Sequence, residues 1–450
     1  MLDDGRTIVA LATPEGRGGL AVVRLSGPDA VAIARRLVRG DRAAPRFVSH
    51  HARLVTLRWP SASPDGPAHS PLDQVLLLPL LAPRSYTGED TVEFSCHGGV
   101  MPARLVIAAC LAAGARAAAA GEFTRRALLN GRLSLTQAEA VADLIGAEHA
   151  LGARAALTQL RGGLRRRLHE VEQPLRALLA DLEGGLEFGD DEHVEPDLSA
   201  AREVFAAAAA AVRRLLDLAP AGRRLRDGVQ VVLIGAPNAG KSSLFNALLG
   251  DDRAIVDPTP GTTRDVVSAE LDLGDLRCVL HDTAGLRAHG DPLEAKGMAR
   301  TRELLDRADI VLRLRPADTT GDREPLDAPV GAHVIDVVTK GDLAPGARGL
   351  VTSAMTGAGL SELRDRLMSV ARAGGLEAAA AAGIMLNQRH QSRLVAASAG
   401  LAECLAACDR GAEVVASLLA AVLQDLGSVS GRVFSEQLLG DVFARFCVGK

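Results

Sequence analysis

At 450 residues the chain is too long for one hydrophobic core and implies two or three domains. With 48% hydrophobic and 24% charged residues it has the composition of an ordinary soluble globular protein. The net charge of −4 excludes a general nucleic-acid-coating protein, so any RNA contact is local or shared with a partner. Six cysteines, at positions 96, 110, 278, 404, 408 and 447, lack the spacing of a metal site or a disulfide framework. Asp3, Asp4 and Arg6 interrupt any early apolar run of a signal peptide. No stretch is expected to reach the ~20 apolar residues of a membrane span, and the expected compartment is the cytoplasm.

Residues 1–120 read as mixed α/β. Thr7–Ala12 and Gly19–Leu25 are short strands, Pro28–Leu37 a helix, Asp73–Leu81 a strand and Thr91–Ser95 a half-buried strand before His97-Gly-Gly99. Ala62–Pro71, rich in Ser and Pro, is a surface loop. From 121 to 222 the character is helical. Leu157, Leu160, Leu164, Leu168, Val171, Leu175, Leu178 and Leu182 form the stripe of a bundle helix, which Pro174 should kink or restart. Arg165-Arg-Arg167 and Arg223-Arg224 are read as solvated helix faces before RNA sites. Residues 223–374 alternate strand and helix as in a doubly wound sheet, and 375–450 return to helix, so one helical domain is interrupted by an α/β module.

That module carries a nucleotide switch. Gly235-Ala-Pro-Asn-Ala-Gly-Lys-Ser242 lies between the strand-like Val229–Ile234 and the helical Ser243–Leu249, the setting a phosphate loop requires. Its glycines allow a nest of amide N–H groups at a helix N-terminus. Lys241 would reach the β- and γ-phosphates, and the Ser242 hydroxyl would hold Mg²⁺. Asp282-Thr-Ala-Gly285 follows a second strand, with Asp282 placed for the metal's water shell and the Gly285 amide for the γ-phosphate. In Thr339-Lys-Gly-Asp342, Asp342 can accept two hydrogen bonds from guanine while the Lys340 stem lies along the base. Ser353, Ala354 and Met355 supply a further contact to the base. Pro260-Gly-Thr-Thr-Arg-Asp265 offers Thr263 to complete the Mg²⁺ sphere. An adenine-specific ATPase has no use for Asp342, so the reading is GTP. Only four of the 51 basic residues are lysine, namely Lys241, Lys296, Lys340 and Lys450, and two of them fall in these motifs.

With the motifs placed, the chain resembles the MnmE (TrmE) family of tRNA-modification GTPases along its whole length. The resemblance rests on Ala12–Gly19, Arg24-Leu-Ser-Gly27, Tyr86–Asp90 with His97-Gly-Gly99, Gly121–Ala127, Gln137–Ala140, the three nucleotide motifs and the closing Phe446-Cys-Val-Gly-Lys450. It implies a multidomain α/β plus all-α protein: an N-terminal folate-binding and dimerisation domain, a central helical bundle and an inserted phosphate-loop GTPase. On matching positions Arg24, Glu93, Arg132 and Lys450 would line a site for 5-formyl- or 5,10-methylene-tetrahydrofolate. By sequence alone Arg24 and Glu93 are equally a structural ion pair. The resemblance further implies a homodimer, a heterotetramer with the flavoprotein MnmG, a tRNA substrate modified at the wobble uridine, and Cys447 as a cysteine important for modification.

The usual water-orienting glutamine after Asp282-Thr-Ala-Gly285 is Leu286 here. In the family a potassium ion takes the electrostatic role of an arginine finger. Asn238 is one ligand, and the others come from Asp257-Pro258-Thr259-Pro260-Gly261-Thr262-Thr263, with Asp257, Thr259 and Thr262 as candidates. Ala239, Gly240, Ser243, Thr283 and Ala284 complete the nucleotide contacts, and Glu294 matches the family's water-positioning glutamate. Thr339 stands where most GTPases have asparagine, with a hydroxyl able to tether the phosphate loop and weaker guanine affinity to be expected. Asp257 and Pro258 depart from a threonine-rich loop, so backbone ligation is the sturdier contribution there. Two other readings compete: a ribosome-assembly GTPase switch, and a free-standing folate-dependent one-carbon transferase regulated by GTP. A second GTPase module or an RNA-binding KH domain with its Gly-x-x-Gly loop in a basic context would favour the former, and the sequence is read as holding neither.

Overall fold

The computed structural model describes residues 5–39, 46–60, 70–188, 198–250, 267–283, 302–318, 331–344, 346–432, 436–444 and 446–450. They form two compact units, one of residues 1–142 with 427–450 and one of residues 143–426. The last 24 residues therefore group with the N-terminal segment rather than with the helices that precede them.

The first unit is built on six strands: β1 (Ile8–Leu11), β2 (Leu20–Ser26), β3 (Arg53–Arg58), β4 (Pro71–Leu80), β5 (Thr91–His97) and β6 (Arg116–Ala117), in the order β3-β4-β5-β2-β1-β6. All neighbours are antiparallel except β1 and β6. The two-residue period divides the sheet. Val23, Leu25, Leu57, Leu77, Val92 and Phe94 turn into a core closed by α1 (Ala30–Arg39) and α2 (Val100–Ala112). The intervening Arg24 and Ser26 of β2 lie opposite Glu93 and Thr91 of β5, so polar groups share the other face. After α3 (Glu122–Leu129) and the start of α4 (Leu135–Ile145), Leu128, Leu135 and Ala138 pack with Leu439, Phe443 and Phe446 around the terminal helix Glu436–Phe443.

In the second unit, helices α5 (Ala150–Leu160), α6 (Gly163–Phe188), α7 (Leu198–Asp217) and α8 (Ala219–Asp227) lead into the second sheet. The apolar stripe expected of one helix is split between α5 and α6, because Gly162 takes a φ of 86° that ends the first helix. No helix starts at Pro174. It lies inside α6 on the exposed side, where the Glu170 carbonyl that loses its amide partner meets water, while Leu168, Val171, Leu175 and Leu182 hold the helix to the core. Arg165, Arg166 and Arg167 are exposed, as expected of a solvated face.

The sheet orders as β12-β11-β10-β7-β9-β8, where β7 is Val229–Ile234, β8 Val267–Asp272, β9 Arg277–Asp282, β10 Ile310–Pro316, β11 His333–Thr339 and β12 Leu350–Val351. Only β8 pairs antiparallel. Helix α9 (Lys241–Leu249) and, beyond a helical turn at 302–307 numbered α10, α11 (Leu360–Arg372) cover it. They are followed by α12 (Leu376–Ala382), α13 (Gln388–Ala407) and α14 (Ala412–Ser430). Arg223 and Arg224 are only partly solvated: both bond Asp309, at 2.5 and 2.9 Å, and this 3%-exposed carboxylate also accepts the Gln230 amide. They fasten α8 to the start of β7 and β10. Helix α14 is long and apolar enough by length and composition to cross a membrane. Its Val415, Leu419, Val422 and Leu426 are buried at helical spacing, and a Cβ on Gly400 of α13 would stand 2.7 Å from Val422. It is apolar because it packs inside the unit.

Candidate functional site

Strand β7 ends at Ile234, and the loop that follows is shaped by three positive φ values: Gly235 at 155°, Asn238 at 64° and Gly240 at 84°. A Cβ on Gly235 would lie 2.6 Å from the Leu314 carbonyl, so the loop passes too close to β10 for any side chain. Helix α9 starts at Lys241, and its open amide end faces the loop. Lys241 is 6% exposed, and its ammonium bonds the carbonyls of Gly235 and Ala236 at 2.9 Å each. Asn238, Ser242 and Ser243 are exposed, and Ala239 is buried.

The neighbouring strands deliver their groups to the same carboxyl edge, where open α/β sheets bind ligands. At the end of β9, Asp282 accepts the Ser242 hydroxyl at 2.6 Å, and the Thr283 hydroxyl donates to the Leu233 carbonyl at 2.7 Å. A hydroxyl and a carboxylate held together at the foot of an anion nest form an oxygen set that fits Mg²⁺. From the end of β11 the Thr339 hydroxyl donates to the Ala239 carbonyl at 2.7 Å, so threonine does tether the phosphate loop. Lys340 follows at φ 56° and lies 3.9 Å from Asp318. Ser353 donates to Asp342 at 2.5 Å and sets its carboxylate, while Met355 is 87% exposed. Gly341 passes so close to Val351 that a Cβ would fall 2.5 Å from its side chain. Asp257, Pro258, Thr259, Pro260, Gly261, Thr262, Thr263, Ala284, Gly285 and Glu294 lie outside the described residues.

Beneath this edge a buried imidazole follows strand geometry. His281 bonds Ser268 through Nδ1 at 2.8 Å and Gln230 through Nε2 at 2.9 Å, and burial lowers its pKa.

In the first unit, Arg24 and Glu93 form an ion pair at 2.7 Å. The guanidinium also faces the Gly449 carbonyl at 3.5 Å and the rings of Tyr86 and Phe123, each at 5.7 Å. The C-terminus is laid against this place by backbone bonds from Gly121 to Cys447 and from Phe123 to Lys450, with Val448 bridging Ala120. Gly449, at φ 99°, would carry a Cβ only 2.0 Å from the Leu11 carbonyl. Cys447 is exposed, and the other five cysteines are buried. At the C-terminal end of α13 the Cys408 thiol donates to the Cys404 carbonyl at 3.3 Å, and both are packed on the helix's buried side. Arg132 is exposed next to Gly88.

Sequence reasoning missed Tyr86 and Phe123, although Tyr86 is the chain's one tyrosine in a sequence with 2% aromatics. It also missed the chain Arg116–Glu122–Arg126–Glu89, whose Arg126 is 2% exposed. Burial raises the Glu122 carboxyl most, but bonds from Arg116 and the Ala119 amide, with the charges of Arg116 and Arg126, together outweigh it and hold the pKa below its ordinary value.

The second unit thus holds a phosphate-loop nucleotide site with guanine-type elements, and the first unit, taken by itself, holds a cation–carboxylate pair at its C-terminal tail. Residues 7–132 match the family model of the GTP-binding protein TrmE N-terminus, and residues 135–447 that of the MnmE helical domain. The chain is 41% identical to the tRNA modification GTPase MnmE of Symbiobacterium thermophilum over 99% of both chains. It is 42% identical to that of Myxococcus xanthus over the full length of both. The G domain of the T. maritima FeoB iron transporter is similar at 27% identity, covering 32% of this chain and 98% of that one, with a TM-score of 0.25. The chain belongs to the MnmE family.

Proposed function

We propose that the protein is a GTP-hydrolysing enzyme of tRNA modification. With the flavoprotein MnmG and a 5-formyl- or 5,10-methylene-tetrahydrofolate one-carbon unit, it forms an aminomethyl or carboxymethylaminomethyl group on the wobble uridine. The observation that carries the reading is the convergence of Lys241, Ser242, Asp282, Thr339 and Asp342 on one sheet edge in a chain of this family. Lys241 and the loop amides bind the phosphates, and Ser242 with Thr263 would hold Mg²⁺, which neutralises phosphate charge when bound. Asp342, oriented by Ser353, selects guanine over adenine. Asn238 and the Asp257–Thr263 loop would hold K⁺, and Glu294 would place the attacking water. Homodimerisation brings two such sites together, and a heterotetramer with MnmG brings them to tRNA. Arg24, Glu93, Arg132 and Lys450 would bind the folate, and Cys447 takes part in modification. The cation, carboxylate and flanking rings at Arg24 are chemistry that fits a pterin and its carboxylate tail.

Mass analysis of wobble-uridine nucleosides in tRNA from cells lacking the protein tests this. Loss of the aminomethyl-type nucleosides is expected, and an unchanged nucleoside profile overturns the reading. Salt-sensitive association with ribosomal subunits would instead favour an assembly switch.

A further inference from the structure

The contacts of His281 extend past the nucleotide edge in both directions. Gln230 sends its amide nitrogen to the carbonyls of Asp227 and Gly228, each at 3.0 Å, at the C-terminal end of α8. Two carbonyl acceptors leave only the Gln230 oxygen to face His281, so Nε2 carries the proton and donates to it at 2.9 Å. Nδ1 is then the acceptor, and the Ser268 hydroxyl donates to it at 2.8 Å. Every bond in this chain runs in one direction, and its polarity is set by the helix end. Ser268 is the register partner of His281, and Val267 that of Asp282, so the chain grips β8 and β9 one residue from the carboxylate that accepts Ser242. Gln230 is itself locked, since its amide donates to Asp309 and its carbonyl accepts from the Asp309 amide.

We propose that Gln230 and His281 are positioning residues of the GTPase. They form a hydrogen-bonded chain of fixed polarity that ties the end of connector helix α8 to the β8–β9 ladder and so places Asp282 against Ser242. The inference rests on the GTPase reading of that site. His281 is the buried link, whereas Ser268 is exposed and its bond exchanges with water, so the effect concentrates at Gln230 and His281. Order in the β8–β9 ladder and seating of α8 then stabilise one another, because coupling between two such elements is reciprocal.

Three variants test the chain. His281→Leu removes both bonds, and Gln230→Glu keeps the acceptor for Nε2 but sets a carboxylate against two carbonyls. His281→Gln retains a nitrogen near the Nε2 position. In nucleotide-free protein, amide hydrogen exchange in the β8–β9 ladder should rise about fivefold in the first two variants, the equivalent of one net hydrogen bond. Single-turnover GTP hydrolysis should slow by a similar factor, GDP affinity should stay within about twofold, and the double variant should lose no more than either single one. His281→Gln should restore most of both. Unchanged exchange and rate overturn the proposal, as do single effects that multiply in the double variant, or GDP affinity falling in step with stability. Failure of the GTPase reading itself would look different, since the wild-type protein would then hydrolyse no GTP.

Discussion

Thr339→Val is the most direct probe of how this phosphate loop is held. The exchange keeps the β-branched shape and nearly the volume, so it opens no cavity at a position 4% exposed. It deletes the donor that serves the Ala239 carbonyl at 2.7 Å, and Ala239 is fully buried. A buried carbonyl without its partner costs about 1–3 kcal/mol. That cost has two outlets. If the loop keeps its shape, the second unit loses stability. If the loop relaxes toward water, the nest is no longer preformed, and GDP affinity falls by up to about 5- to 150-fold for the same free energy. The two losses should together amount to about 1–3 kcal/mol, so both are measured on one preparation, by denaturant unfolding and by calorimetric titration with GDP. A GDP dissociation constant within about twofold of wild type, with stability within about 0.5 kcal/mol, refutes the tether.

GTP hydrolysis should be much faster in K⁺ than in Na⁺ at equal ionic strength, and Asn238→Ala should lose most of that difference while still binding nucleotide; equal rates in the two salts would sink the potassium role. Glu294→Ala should bind GTP yet lose about 10²–10⁴ in K⁺-stimulated single-turnover hydrolysis, and a rate within about threefold of wild type removes it from the mechanism. Arg24→Ala and deletion of Lys450 should each weaken calorimetric binding of a formyl-tetrahydrofolate without slowing basal GTP hydrolysis, because Arg24 and the nucleotide site lie in different compact units; unchanged affinity in both shows the assignment wrong. Asp309→Ala strands two arginines and the Gln230 amide, and should destabilise the second unit by on the order of 3 kcal/mol, less whatever Arg223 regains by turning to water. A loss below about 0.5 kcal/mol would show that other contacts seat α8.

The nucleotide edge was legible because its information is local. Gly235, Asn238 and Gly240 sit where the backbone needs positive φ, Lys241 opens a helix, and Asp282 and Thr339 close apolar strands, all of which short-range spacing reveals. The alternation in Thr91–Ser95 likewise marked a half-buried strand, whereas Arg24 and Glu93 were singled out only through the family resemblance, and their pairing came from the register of β2 on β5. Composition alone does not separate a helix buried in protein from one buried in lipid, and packing decides it for α14. Hydropathy misled at the α5–α6 break, where one glycine interrupts a stripe that continues in sequence.

Tertiary structure alone decided the long-range partners. Arg223 and Arg224 look like any exposed basic pair until Asp309, some 85 residues on, is brought beneath them. The C-terminal Cys-Val-Gly-Lys segment follows a run of helices, yet it lies against Gly121, Phe123 and Leu11 of the first unit. Sequence periodicity determines which face of an element a side chain occupies, because that depends only on the backbone repeat. Which charge meets it there depends on how distant segments pack, and local spacing does not encode that.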